Sequence, residues 1–124
     1  MIAGIGVDIV NKERISDILL RYNFRFVKKI LGPEEQDVYT NLSEQNHVNY
    51  LSKRFAAKEA LSKALGTGIG QFVQFNNIDI LNDRVGKPYL KNFNSVNLSI
   101  DKNKVKISIS DEKDSAIAFV IICE

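Results

Sequence analysis

The stretch Arg54-Phe55-Ala56-Ala57-Lys58-Glu59-Ala60-Leu61-Ser62-Lys63-Ala64-Leu65-Gly66 constrains the fold more than any other part of the chain. Alanine, leucine, lysine and glutamate are strong helix formers, and a glycine after such a run is a C-cap signal. The segment therefore reads as one helix that begins near Val48 and stops at Gly66. At about 100° per residue, Phe55, Glu59, Ser62 and Gly66 fall on one face, continuous with Leu51. A carboxylate on a largely apolar stripe is costly to desolvate without a partner. Glu59 thus requires one: a cation, a metal or a substrate.

The segments on either side set the fold class. Residues 1–10 alternate as a strand, with Ala3, Ile5, Val7 and Ile9 on one face and Gly4, Gly6 and Asp8 on the other. Residues 12–22 carry Ile15, Ile18, Leu19 and Tyr22 at helical spacing, after Asn11 as N-cap. A further helical stretch over 24–30 ends at Gly32-Pro33, and Pro33 suits the first turn of a short helix through Glu34, Glu35 and Val38. Residues 41–46 are polar and loop-like. Beyond Gly66 the chain is strand-like. Residues 78–81 alternate, Asn82-Asp83 begins a turn, and Gly86-Lys87-Pro88 interrupts the segment after it. Residues 96–100 and 105–110 alternate and are predicted to form a hairpin through 101–104. A polar turn at 111–114 leads to 115–123, the most apolar strand. One strand, then helices, then antiparallel strands, with no repeat or linker, predicts a single α+β domain.

Composition narrows the function classes. With 124 residues, 44% of them hydrophobic, the chain can bury a real core. The net charge of +2 is too small to favour nucleic acid. The lone Cys123 cannot form an internal disulfide, which suits a reducing compartment. Residues 1–10 lack a basic start and contain Asp8, so no signal peptide is expected. No apolar run approaches the roughly 20 residues of a membrane span. A cytoplasmic protein is the expectation.

Three groups of residues could carry chemistry. Asp8 ends a strand, where acids are poor formers. It reads either as the cap of the next helix or as a metal ligand whose neighbouring glycines leave room for a large ligand. Glu59 and Lys63 have the order and spacing of a helical ion pair. Alternatively, Asp8, Glu59 and Lys63 together could hold Mg²⁺ and phosphate oxygens, because Mg²⁺ uses one or two carboxylates and completes its shell with phosphates and water. Arg14, Arg21, Arg25 and Lys28 align with Ile18 if the helix continues past Asn23. A basic stripe with an apolar residue in it suits an acidic helical partner better than nucleic acid. The glycines at 66–70 are not a P-loop, since they come after a helix and lack its lysine; they read as a cap. His47, in a polar loop, reads as exposed and uninvolved.

These blocks also resemble a known family. Gly4-Ile5-Gly6-Val7-Asp8-Ile9-Val10 with Arg14-Ile15 is similar to the N-terminus of holo-[acyl-carrier-protein] synthases, and 54–68 to their central motif. Gly86-Lys87-Pro88-Tyr89 and Val105-Lys106-Ile107-Ser108-Ile109-Ser110 are similar to later blocks, in the same order. The resemblance implies an Mg²⁺-dependent enzyme that moves the 4′-phosphopantetheine arm of coenzyme A onto a serine of apo acyl carrier protein. It implies Asp8 and Glu59 as metal ligands and Lys63 as a catalytic residue at the coenzyme A phosphates. Gly66 and Ser110 join Lys63 in binding coenzyme A. Arg14, Ile18, Arg21 and Arg25 become the docking face for the carrier protein, and a homotrimer with active sites between subunits is implied. One position departs from the family, which usually has His where Asp111 stands. Asp111 reads as a turn residue or as an outer metal ligand. The rival from another class is a non-catalytic module that binds an acidic helix through the Arg14 stripe.

Overall fold

In the computed structural model, residues 1–66, 74–95 and 98–124 are described. Strand β1 (Ile2–Asn11) leads into helices α1 (Lys12–Tyr22), α2 (Phe24–Ile30), α3 (Pro33–Asn41) and α4 (His47–Leu65). Strands β2 (Ile78–Asn82), β3 (Pro88–Phe93), β4 (Val105–Asp111) and β5 (Ser115–Cys123) complete the chain. β1, β5 and β4 form one antiparallel sheet in that order, and β2 pairs with β3 in a separate ribbon. The predicted α+β class holds.

The ends of the helices reflect local chemistry. The Asn11 side chain accepts from the backbone N–H of Glu13 and Arg14, which caps α1; such a cap contributes about 1 kcal/mol. Asp8 is therefore not that cap. α4 ends at Gly66 with φ of 76°, the left-handed conformation that suits glycine. The separate helical stretches predicted over 12–22 and 24–30 are α1 and α2, so the condition for one unbroken basic stripe, a helix that continues past Asn23, is not met. Asn23 takes φ of 52° and ψ of −133°, and α2 starts in a new direction.

Register places β1 and α4 face to face. Asp8 lies opposite Ala118, which lies opposite Ile109; Gly6, Val120 and Ile107 form the next row. This face, with Val10, Ala116 and Ala118, packs on α4. Leu51, Ala56, Ala57, Ala60 and Leu61 of α4 are fully buried. A Cβ on Gly6 would meet the Ala60 carbonyl oxygen at 1.9 Å, and one on Gly4 the Ala64 oxygen at 2.1 Å. The space beside these glycines is thus filled by the helix backbone and not left for a ligand. The opposite face, with Ile5, Val7, Ile9, Ile117 and Phe119, is open to solvent; Ile9 is 67% exposed.

Two predicted strands differ. Residues 98–100 are not in a strand, while Val96 and Asn97 lie outside the described residues. β4 takes β5 as its partner, and 102–104 form a 3₁₀ turn whose N-cap Asp101 accepts from the Asn103 N–H. Alternation on its own does not choose a partner. The strand after Pro88 passes unread in the sequence, because proline at the first residue of a strand mimics a break.

Candidate active site

Asp8 reaches the site from the end of β1, and Glu59 and Lys63 from α4, one turn apart. The Lys63 ammonium donates to the Val7 carbonyl at 3.0 Å and to Asp8 Oδ1 at 3.2 Å. Its ion pair is with Asp8, so the predicted pairing with Glu59 gives way to a contact across elements. The Ala-on-Gly contact makes this possible: with the helix backbone against the strand, a lysine on α4 reaches a carbonyl of β1.

Glu59 is half-buried. Burial raises its carboxyl above the ordinary 4.5, and the Asp8 carboxylate raises it further, against the pull of Lys63 and Arg14. Four charged groups from β1, α1 and α4 therefore act on one another. Two like charges brought together in a partly dry place create a demand for a cation. Among the described residues, no group of three or more His, Cys, Asp or Glu could hold a metal ion. A donor set of two hard carboxylates fits Mg²⁺, which takes its other oxygens from phosphate and water, and fits poorly with an ion that needs a full protein cage.

Lys63 is the N-terminal partner of the cap: its carbonyl accepts from the Gly66 N–H. The next glycines, at 68 and 70, lie outside the described residues. Ser110 is exposed on β4 opposite Ile117, which in turn pairs with Ile9. It therefore shares the open face of the sheet, opposite the face that carries Asp8. Within one chain the fold does not bring Ser110 to Glu59.

Asp111 is neither a turn residue nor part of the Asp8–Glu59 group. It is the last residue of β4, and its carboxylate accepts from the nearly buried Lys12 ammonium at 2.8 Å, with Lys53 at 3.9 Å. The Lys12 hydrogen bond holds its carboxyl below the usual carboxylate range. Lys12 also donates to the Glu112 carbonyl, which ties the start of α1 to the β4–β5 turn.

The basic stripe is rearranged by the break at Asn23. Arg14, Ile18 and Arg21 line one shallow hollow of about 540 Å³ with Asn11, Asp17 and Tyr22. Ile18 and Tyr22 also border a second hollow of about 360 Å³, completed by Arg25, Phe26 and Lys29 of α2. Lys28 points elsewhere, with its ammonium 5.7 Å from the centre of the Phe24 ring. The surface is thus one of Arg14, Arg21, Arg25 and Lys29 around Ile18. His47 is not idle either. It begins α4, stacks on Tyr39 at 3.9 Å, and directs Nε2 at the carbonyls of Tyr39 and Leu42. With two acceptors facing it, Nε2 carries the proton.

Lys58, Glu35 and Asp79 carry no warning in the sequence pattern, yet all three are buried. Lys58 is seven residues from Leu51 and so lies on the same helical stripe, but without the fold a lysine there reads as facing solvent.

Comparison with known proteins agrees with this geometry. The family described as the 4′-phosphopantetheinyl transferase superfamily matches residues 4–120. A holo-[acyl-carrier-protein] synthase of Geobacillus sp. (strain WCH70) is 46% identical, over 98% of this chain and 97% of the relative. The crystal structure of the synthase of Neisseria meningitidis is 41% identical and superposes with a TM-score of 0.88 over 100% of both chains. The Bacillus anthracis synthase, solved in complex with CoA (3′,5′-ADP), is 39% identical, with a TM-score of 0.82 over 98% of this chain and 96% of that one. With Asp8, Glu59 and Lys63 drawn together by the same fold, the chain belongs to the 4′-phosphopantetheinyl transferase superfamily, among the holo-[acyl-carrier-protein] synthases.

Proposed function

We propose that the protein transfers 4′-phosphopantetheine from coenzyme A to a serine of an apo acyl carrier protein and releases adenosine 3′,5′-bisphosphate, in the cytoplasm and in support of fatty acid biosynthesis. The observation that carries this reading is the convergence of Asp8, Glu59 and Lys63 across the β1–α4 contact, beside the Arg14 helix. The serine oxygen forms a bond to the β-phosphorus of coenzyme A as the bond from that phosphorus to the bisphosphate oxygen breaks. Little covalent work falls to the protein in such a transfer; positioning and charge dominate.

Glu59 takes the serine proton, directly or through a water held at the same site; a carboxylate that also holds a metal is a weaker base than a free one. Lys63 has a flexible stem and a half-exposed ammonium; it turns from Asp8 to the phosphate oxygens. Asp8 and Glu59 would hold Mg²⁺, which when bound neutralises charge on the pyrophosphate. Arg14 lies close enough to influence Glu59 and also lines the docking hollow. It thus joins the partner surface to the chemistry, and an acidic carrier helix on Arg14, Arg21 and Arg25 brings its serine to the same end of α4.

We further propose an oligomer, a homotrimer as the resemblance implies, assembled through the open face of the sheet. Ile5, Val7, Ile9, Ile117 and Phe119 form a contiguous exposed apolar surface, larger than isolated exposed residues explain. Ser110 sits at its border, so a second copy is needed to bring Ser110 to a site built on Asp8.

The test is incubation with coenzyme A, Mg²⁺ and apo acyl carrier protein, followed by mass spectrometry of the carrier. A gain of one phosphopantetheine is expected. Binding without that gain decides for the module that only holds an acidic helix.

A further inference from the structure

Lys58 has no exposed surface, although lysine is almost never fully buried without a partner. Its three N–H donors are shared among four acceptors, the Glu35 carboxylate and three backbone carbonyls: Ile30 at 2.6 Å, Phe75 at 2.8 Å and Ile78 at 2.8 Å. These acceptors come from the end of α2, from α3, from the 3₁₀ turn before β2, and from β2 itself. Glu35 is fully buried too. Its oxygens accept from the N–H of Gly32 and of Ile80, at 2.9 and 3.0 Å. Asp79 extends the group by accepting from the N–H of Glu34 and Glu35.

Stability alone is a poor account of this arrangement. Desolvating two charges costs about as much as their attraction returns, and apolar replacements of similar shape are often as stable. A cation held by four acceptors from separate elements does something that an apolar group does not: it fixes a direction. That matters on α4. The Ala60 and Ala64 contact with Gly6 and Gly4 sets how close the helix lies to β1. Small side chains on glycine offer no knobs, however, and although the fully buried Leu51 and Leu61 also seat the helix, apolar contact is non-directional and a weaker guide to how far the helix is turned. Consecutive residues on a helix point about 100° apart. Fixing the direction of Lys58 therefore fixes that of Glu59, and with it Lys63 one turn on.

We propose that Lys58 is a positioning residue for the transfer, which sets the rotation of α4 so that Glu59 and Lys63 face Asp8. This rests on the function proposed above. Lys58 touches no reacting group. It acts through Glu59, and it lines neither of the two docking hollows.

The experiment uses Lys58→Met, and Lys58→Met combined with Glu35→Gln so that the Lys58–Glu35 pair is removed as a unit. Asp79 keeps its bonds from Glu34, Glu35 and Asn92, and Arg54, paired with Glu35 at 3.9 Å, keeps its place over the Tyr50 ring. Each is assayed for transfer well below its unfolding temperature, with foldedness checked by circular dichroism. A misplacement of about 1 Å can cost on the order of 10²-fold in rate. The expected result is kcat lowered by about that factor in both variants, with the KM for carrier protein within about twofold of the original, since the Arg14 surface is untouched. The double variant should regain melting temperature without regaining kcat, a split that a purely structural role would not produce. An unchanged kcat in either folded variant, or kcat recovering together with stability in the double variant, overturns the proposal. The unmodified protein in the same assay separates this outcome from failure of the transfer function itself.

Discussion

Glu59 carries an electrostatic cost of its own, at the scale of one residue. Its carboxyl is raised by burial and by Asp8, so the folded state binds a proton more readily than the unfolded chain. Stability from this group is present below its ordinary value of 4.5 and is lost as pH rises through the higher folded value. Near neutral pH the charged carboxylate is therefore a liability in the metal-free protein. Glu59→Gln should raise the melting temperature at pH 7, with the gain vanishing as pH falls below the ordinary carboxyl value of 4.5. Transfer should fall by about 10²-fold or more. Mg²⁺ should raise the melting point of the unmodified protein by mass action and leave that of the variant unchanged. Scanning calorimetry across pH, with and without Mg²⁺, checks the stability predictions, and the transfer assay checks the rate; a variant that melts earlier at pH 7 would refute the charge argument. Glu59 was legible in the sequence because it broke an apolar stripe. Lys58 was not, since lysine on a helix normally signals solvent and only a tertiary fold reveals the four acceptors waiting for it.

At the scale of elements, the pairing of β1 with α4 is the contact on which the site depends. Gly6→Ala places a methyl group 1.9 Å from a backbone oxygen, and neither helix nor strand can yield locally. A loss of about 1–3 kcal/mol is expected from such overpacking, read as a lower urea midpoint, together with weaker transfer in whatever remains folded. An unshifted midpoint would mean that the helix can retreat freely. The proposed docking surface is also a product of two elements. Arg14→Glu with Arg21→Glu should raise the KM for carrier protein at least about tenfold at low salt, with the difference shrinking as salt is added. Lys28→Glu should change it little, because Lys28 lies against Phe24 and outside both hollows. Titrating the carrier at two ionic strengths distinguishes these. Helical periodicity puts Lys28 on the stripe with Arg14, Arg21 and Arg25, whereas it is Lys29 that lines the hollow beside Arg25. Periodicity alone does not anticipate that Asn23 adopts a positive φ, after which Lys29 lines the hollow with Arg25 and Phe26 while Lys28 lies against Phe24. The strands show the same limit. Alternation located β1, β4 and β5, but the partner of β4 depends on contacts distant in the chain, which no local pattern encodes.

For the molecule as a whole, the open apolar face of the sheet is the main unfinished surface. Assembly through it predicts that Ile5→Lys lowers the molar mass seen by sedimentation equilibrium and reduces transfer, while the isolated chain keeps its helical spectrum. A variant that stays at the original mass would place the interface elsewhere. The order of strands has a separate consequence, for how the protein is made. β1 (Ile2–Asn11) has one hydrogen-bonded partner strand in this sheet, β5 (Ser115–Cys123). At about 5–20 residues per second, a ribosome needs roughly 5–20 s to travel from one to the other. During that interval Ile5, Val7 and Ile9 lack the partner strand they pair beside in the finished sheet. The central sheet is therefore a post-translational event, and expression at low temperature or with a chaperone that shields extended apolar segments should raise the soluble yield more than any change to the mature surface.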